Sequence, residues 1–330
     1  MTTISVLIPS WKRPESLARC LDALERGQRL PDQVVLSVRA DDAPTRAMIA
    51  ARQSPFPLDV ATPERPGLLA ALNAGFDRVE CDLVAATDDD TEAHPDWLQR
   101  IVARFDADPR LGGLGGRDRM PAEDGEGWEQ PNDLPVGRVL WFGRVVGNHN
   151  FGSGDIREVD ILKGANMSFR RSAMGSKRID TALRGRGAEH HTEIELCLAL
   201  KAKGWKIAYD PAVMVDHWEE VRYDAQRGPQ MSFEEQHNAV HNRAYGLLKH
   251  LPLHRAIPAF LYGTLVGTRD NPGVAMTIKS ILAGNSPRQA LGRLRVTISA
   301  HVSALRTLRS QAAASSGAGA NSRSGSSSGT

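Results

Sequence analysis

The stretch LVAATDDDTEAHPDWL, residues 83–98, passes from a short apolar run into three consecutive aspartates and then into a Pro-led segment of helical character. The run DLVAA (82–86) reads as a buried strand, and PDWLQRIVARF (95–105) reads as an amphipathic helix. Three like charges where a buried strand ends are unfavourable unless something offsets them. A divalent cation shared by the carboxylates would do so, and so would a helix N-terminus, where acids are favoured. From this stretch alone both explanations stand.

Outward from it, the first hundred residues alternate between Val- and Ile-rich runs and amphipathic segments. ISVLIP (4–9) predicts a strand, PESLARCLDALER (14–26) a helix with Leu17, Cys20, Leu21 and Leu24 on one face, and QVVLSV (33–38) a second strand. A helix near 44–52, a strand near 58–61 and a helix over 67–77 complete the pattern ahead of DLVAA. Near-continuous apolar strands between helices predict an open α/β fold, its sheet expected to be parallel with helices on both faces. In such sheets ligands bind beyond the carboxyl ends of the strands. Asp88, Asp89 and Asp90 lie at that address.

Beyond the first hundred residues, the region from about 110 to 170 is richer in Gly, Pro and polar residues, with strands expected in VGRVLWFGRVVG (136–147) and REVDILKGANMSF (157–169). TEIELCLALKAKG (192–204) predicts a helix, and WKIAYDPAVMVDHW (205–218) two short strands ending at His217 and Trp218. LGGLGGRDRM (111–120) is no dinucleotide fingerprint, because no helix start follows it; its glycines are expected to keep a strand thin beside a ligand. Basic amphipathic helices are expected over 234–250, 253–268, 272–283 and 288–309. The sequence thus divides into an α/β domain over 1–230, a basic helical region over 231–310 and a Gly/Ser/Ala tail over 311–330, whose composition predicts disorder.

The chain has 330 residues, of which 41% are hydrophobic, enough for a core without staples. Three scattered cysteines, Cys20, Cys81 and Cys197, form no CxxC pair and predict reduced thiols. The N-terminus has no secretory pattern, and the longest apolar run, near 256–267, is short of the ~20 residues of a membrane span. A cytoplasmic protein is expected. The net charge of +2 hides a split: from Arg243 onward eleven Lys and Arg face one acid, Asp270, leaving 30 basic against 38 acidic residues before it. An acidic body therefore carries a basic end of net +10. Basic amphipathic helices predict peripheral attachment to the inner, anionic face of the cell membrane, the alternative being packing on the first domain with solvated charges. Nucleic acid is a poorer partner, since no known binding module accompanies the charge.

Five segments, in order, resemble a family 2 glycosyltransferase of the GT-A type over about residues 3–220, which implies a Rossmann-like nucleotide-binding sheet with helices on both faces and makes 1–230 the catalytic domain. ISVLIPSWKRPESLARCLDAL is similar to that family's opening strand and helix, ERPGLLAALNAGF to its nucleotide segment and TDDD to its metal-binding aspartate motif. LKGANMSFRR (162–171) is similar to the segment before its acceptor site, and the stretch from Thr192 to Trp218 to its base-bearing helix and closing histidine strand. The resemblance implies a metal-dependent, inverting transfer of a sugar from a nucleoside diphosphate donor to a hydroxyl of a glycan or lipid-linked acceptor, in cell-surface or extracellular polysaccharide synthesis. It implies Mn2+ or Mg2+ on Asp88 and Asp90, with His217 as a third ligand and Asp88 also toward the ribose. Hard oxygen donors of this kind suit such ions, which offset the charge of a diphosphate leaving group.

An inverting transfer needs a carboxylate to take the acceptor's proton. The resemblance points to Glu193, then Glu195, with Glu189 one turn earlier as a fallback; Thr192 and Glu193 stand where the family commonly has Glu-Asp. Nucleotide contacts are expected from Pro9, Ser10, Arg13, Asp41, Arg65 and Asn73. Asp41 lies two or three residues past the second strand, later than the family's usual acid. Gly164 allows close approach, Asn166 could hold a sugar hydroxyl and Trp141 could stack on an acceptor sugar, although packing roles would suit all three. Other readings are a sugar nucleotidyltransferase, which would need a Gly-rich phosphate loop that SWKRPESL does not supply, and a non-catalytic carbohydrate-binding or scaffold protein.

Overall fold

The computed structural model describes residues 1–122, 127–185, 187, 189–218 and 231–323. Two compact units divide the chain: one comprises Met1–Leu140, Arg144–Thr181 and Gly185–Ala225, the other Trp141–Gly143, Ala182–Arg184 and Gln226–Thr330. The second unit thus takes two three-residue pieces from within the span expected to form one domain. The boundary expected after residue 230 lies at the edge of residues 219–230, which are outside those described.

The first unit begins with β1 (Ile4–Ser10), α1 (Pro14–Glu25), β2 (Gln33–Val38), α2 (Ala43–Ala51), β3 (Leu58–Ala61), α3 (Leu68–Phe76) and β4 (Leu83–Thr87). These follow the sequence pattern to within about two residues. β5 (Thr91–Ala93), α4 (Trp97–Ala107), β6 (Leu111–Arg119), β7 (Arg138–Val139), β8 (Val145–Val146) and β9 (Arg157–Glu158) come next. β10 (Asn166–Arg170), α5 (Arg171–Met174), α6 (Thr192–Ala202) and β11 (Lys206–His217) complete it.

The main sheet runs β3-β2-β1-β4-β10-β6-β11-β5, with β9 also on β11. β3, β2, β1 and β4 are parallel, and so are β6 and β11. The expectation of a parallel sheet is corrected at β10, which enters between β4 and β6 antiparallel to both, and at β5 and β9, which run antiparallel to β11. The sheet is mixed because the chain returns through its middle after the excursion between β6 and β10. The two short strands expected over 205–218 are one strand, β11, with an irregular register between Asp210 and Met214.

Alternation along β1 covers both faces of the sheet. Ile4, Val6 and Ile8 join a core with Leu17, Leu21 and Leu24 of α1 and Trp97, Ile101 and Phe105 of α4. Leu7 faces the other way, so close under Gly75 of α3 that an added Cβ would lie 2.1 Å from Leu7 Cδ1. The glycines of β6 are explained likewise: a Cβ at Gly116 would come 1.7 Å from the Val213 carbonyl oxygen and 2.6 Å from Asn166 Nδ2. They thin the strand for its protein neighbours.

The second unit is helical: α7 (Phe233–His250), α8 (Leu253–Leu261), a π-helical turn Tyr262–Val266, α9 (Val274–Leu282) and α10 (Pro287–Arg323). Ser232 and Glu235 form a reciprocal capping box that starts α7. The expected tail overlaps α10 as far as Arg323, where Ala312, Ala313 and Ala314 favour helix, and residues 324–330 lie outside those described. No helix among the described residues is long and apolar enough to cross a membrane.

Candidate active site

The aspartates cap no helix. α4 begins at Trp97 behind Asp96, and β5 stands between it and Asp90. Instead they form a tight turn, in which the Thr91 N–H donates to the Asp88 carbonyl at 3.3 Å and the Thr91 hydroxyl to the same oxygen at 2.8 Å. Asp88 and Asp90, two residues apart, reach one point, while Asp89 turns into the protein.

Asp89 anchors the loop. It is buried, accepts from the Ser10 hydroxyl at 2.7 Å and from Arg13 Nη1 at 3.0 Å, and the same guanidinium nitrogen donates to Asp90 Oδ2 at 3.1 Å. Burial pushes the Asp89 carboxyl up to about 7, against the pull of Arg13 and the Ser10 hydroxyl. Ser10 and Arg13, expected on the nucleotide, therefore hold the aspartate turn. The middle aspartate joins the end of β1 to the turn after β4.

His217 reaches the turn through strand pairing. β11 is antiparallel to β5 with His217 opposite Thr91, and the Trp218 N–H donates to the Asp90 carbonyl at 2.9 Å. Its Nε2 lies 3.4 Å from Asp90 Oδ1, and its Nδ1 lies 3.5 Å from Asp118 Oδ2 on β6. The latter distance is at the outer limit of hydrogen-bond geometry, so it is an electrostatic contact rather than a formed bond. Lys163 Nζ pairs with the same Asp118 oxygen. Although burial opposes charge on His217, Asp118, Asp90 and Asp88 hold its imidazolium to about 9. Burial would raise the Asp118 carboxyl, but His217 and Lys163 hold it below the ordinary range.

Ligand atoms of Asp88, Asp90 and His217 all lie within 4.8 Å of one another. Two carboxylates and an imidazole fit a divalent ion, Mn2+ more readily than Mg2+ because of the nitrogen donor. The fit is also electrostatic: without a cation the acids recruit a proton onto His217, and a metal would displace it. Asp118 stands behind the histidine as carboxylates do behind metal-bound imidazoles. Asp118→Asn is expected to weaken Mn2+ binding about 10–100-fold. Titration calorimetry with Mn2+ on the folded variant checks this, and unchanged affinity would remove Asp118 from that role.

The three candidate bases occupy different settings. Glu193 is at the first turn of α6, half-buried, with Oε1 3.8 Å from His191 Nδ1. Glu195 is fully buried, and its Oε1 accepts from Lys177 Nζ at 2.7 Å, which commits it to an internal ion pair. Glu189 caps α3: its Oε2 accepts from the Leu69 N–H at 3.1 Å, and Gly67, at φ 121°, makes room, since a Cβ there would lie 2.2 Å from Glu189 Oε1. Of the three, Glu193 is the one at the partly exposed first turn of α6, beside His191.

The other expected residues lie on several elements of the fold. Pro9 lies within β1 opposite Ser37. Asp41 is exposed and chelated by Arg39 at 3.0 and 2.6 Å, and that guanidinium stacks 3.7 Å from the Trp11 ring centre. Arg65 is exposed, whereas the Asn73 amide is locked onto the backbone of Ile179 by two 2.9 Å bonds. Gly164 faces open space. Asn166 is buried and spends its amide on Trp97 Nε1 and the carbonyls of Arg117 and Val213. Trp141 belongs to the second unit. The sequence reading missed Asp118 and Lys163; a lone acid in the glycine-rich, buried β6 was the available signal for the first.

A family model described as "Glycosyltransferase like family 2" matches residues 2–232. A curated relative, the glucosyl-dolichyl phosphate glucuronosyltransferase of Haloferax volcanii, is 26% identical over 161 residues, which are 47% of this chain and 48% of that protein. The match therefore spans about half the length of that relative. The mannosyltransferase PcManGT from Pyrobaculum calidifontis in complex with GDP-Man and Mn2+ is similar at TM-score 0.51 and 18% identity, covering 95% of this chain and 76% of that one. S. aureus TarS 1–349 in complex with UDP-GlcNAc is similar at TM-score 0.59 and 13% identity, covering 93% and 89%. At these identities the structural likeness is one of fold.

Proposed function

Because the chain belongs to glycosyltransferase-like family 2, we propose that it is a metal-dependent, inverting glycosyltransferase that uses a nucleoside diphosphate sugar. The observation that carries this reading is the meeting of Asp88, Asp90 and His217 beyond the carboxyl end of β4. These three would hold Mn2+ or Mg2+, whose charge, when bound, offsets that of the departing diphosphate. Both Mn2+ and nucleotide sugars accompany solved structures of this fold.

Asp90 and Asp88 would each supply a carboxylate to the cation, and Asp88 would also lie toward the ribose. Asp89, Ser10 and Arg13 keep both in place before the donor arrives, so little reorganisation is needed during transfer. Glu193 Oε accepts the proton of the acceptor hydroxyl as that oxygen attacks the anomeric carbon from the face opposite the diphosphate. The acceptor in this reading is a lipid-linked sugar or growing glycan at the cytoplasmic face of the membrane, serving cell-surface polysaccharide synthesis. The net +10 of the chain from Arg243 onward supports that location.

Thermal-shift measurements against a panel of nucleoside diphosphates, with and without Mn2+, test the donor reading. One nucleotide is expected to raise the melting temperature only when Mn2+ is present. No stabilisation by any of them would overturn the reading.

A further inference from the structure

The second unit carries apolar side chains that nothing within it covers. On α8, Leu253, Ile257 and Leu261 recur every four residues, which is one helix face, and all three are exposed, Leu253 at 77%. On α9, Val274, Ile278 and Leu282 repeat the spacing and the exposure, Leu282 at 82%. Soluble surfaces tolerate scattered leucines but seldom two helices with exposed i, i+4, i+8 stripes. Trp141 of the same unit is 69% exposed and packs edge-on against Phe142, which packs on Tyr262 at the end of α8. Exposed indoles of this kind suit the boundary between water and lipid.

The charge around these stripes selects the partner. Lys279 on α9, Arg269 in the segment before it, and Arg288 and Arg295 on α10 are exposed, and Asp270 is the one acid between Arg243 and the end of the chain. Apolar anchors beside a nearly uncompensated set of basic side chains match an anionic bilayer, into which the leucines enter while the Arg and Lys heads stay at the phosphates. A homodimer is a poorer fit, because two copies would bring two basic surfaces together.

We propose that the exposed faces of α8 and α9, with Trp141, dock this unit on the surface of an anionic phospholipid bilayer without crossing it. The inference deepens the acceptor reading above: it shares the basic residues with it and adds the exposed apolar faces.

Sedimentation of the full chain with phosphatidylcholine vesicles, with and without phosphatidylglycerol, tests it. The protein is expected to pellet with the anionic vesicles at low salt, to do so less at high salt and to stay in solution with pure phosphatidylcholine. Leu253→Asp combined with Leu282→Asp is expected to weaken binding about tenfold or more. Both positions are exposed, so the fold is preserved, which circular dichroism confirms. Unchanged pelleting of the variant, or no pelleting of the wild type, would overturn the proposal. It would also be overturned if light scattering showed a dimer that the double variant dissociates. Nucleotide and Mn2+ binding measured on the same samples reads the catalytic proposal separately, since neither substituted residue belongs to that site.

Discussion

Replacing Asp90 with alanine is expected to lower both sugar transfer and donor hydrolysis by about a thousandfold or more, the scale on which removing charge stabilisation from a leaving group acts. Asp90 has two partners whose fates differ. Arg13 retains Asp89 at 3.0 Å, so the end of β1 stays tied to the aspartate turn. His217 retains Asp118 and the backbone pairing of β11 with β5. The fold should therefore survive while a metal ligand is lost. Calorimetry should show Mn2+ binding weakened together with activity, and an unchanged near-ultraviolet dichroism spectrum would establish that packing is intact. Full donor hydrolysis in Asp90→Ala would sink the metal assignment.

Glu193→Gln separates chemistry from binding. The substitution keeps the size of the side chain and removes its ability to take a proton, so kcat is expected to fall about 10²–10⁴-fold while nucleotide and Mn2+ affinities hold. Glu195→Gln is the informative contrast. Glu195 is buried against Lys177, and neutralising it leaves an uncompensated ammonium, which costs about 3 kcal/mol of stability. A loss of activity there should track a fall in melting temperature, whereas Glu193→Gln should lose turnover with its melting temperature unchanged. If Glu193→Gln transfers sugar normally, the base lies elsewhere.

Much of the first unit was legible because its strands and helices are short-range patterns. The run ISVLIP is apolar at every position but Ser5, as befits a strand with both faces covered, and Leu17, Cys20, Leu21 and Leu24 mark the buried side of α1. The metal candidates were legible too, through the resemblance: Asp88, Asp90 and His217 come together as expected although Asp88 and His217 are 129 positions apart. The antiparallel return of β10 was not legible, because nothing local to NMSFR reports which strands will flank it. The protein partners of polar residues were not legible. Ser10, Arg13, Asn73 and Asn166 have side chains suited to a ligand, yet each makes hydrogen bonds within the protein, and a sequence does not say which partner a donor will meet.

The sequence by itself determined the α/β class, the order of the elements, the position of the aspartate motif at a strand end and the basic, amphipathic character of the last helices. Periodicity and composition are carried by neighbouring residues and need no distant partner. Only the tertiary structure decided that Asp89 is the anchor of its motif, that Asp118 stands behind His217, that Glu189 and Glu195 are already committed, and that the leucines of α8 and α9 remain uncovered. Each of these depends on which groups lie within a few ångströms after the sheet has closed, and hydrogen bonding and burial act only over that range.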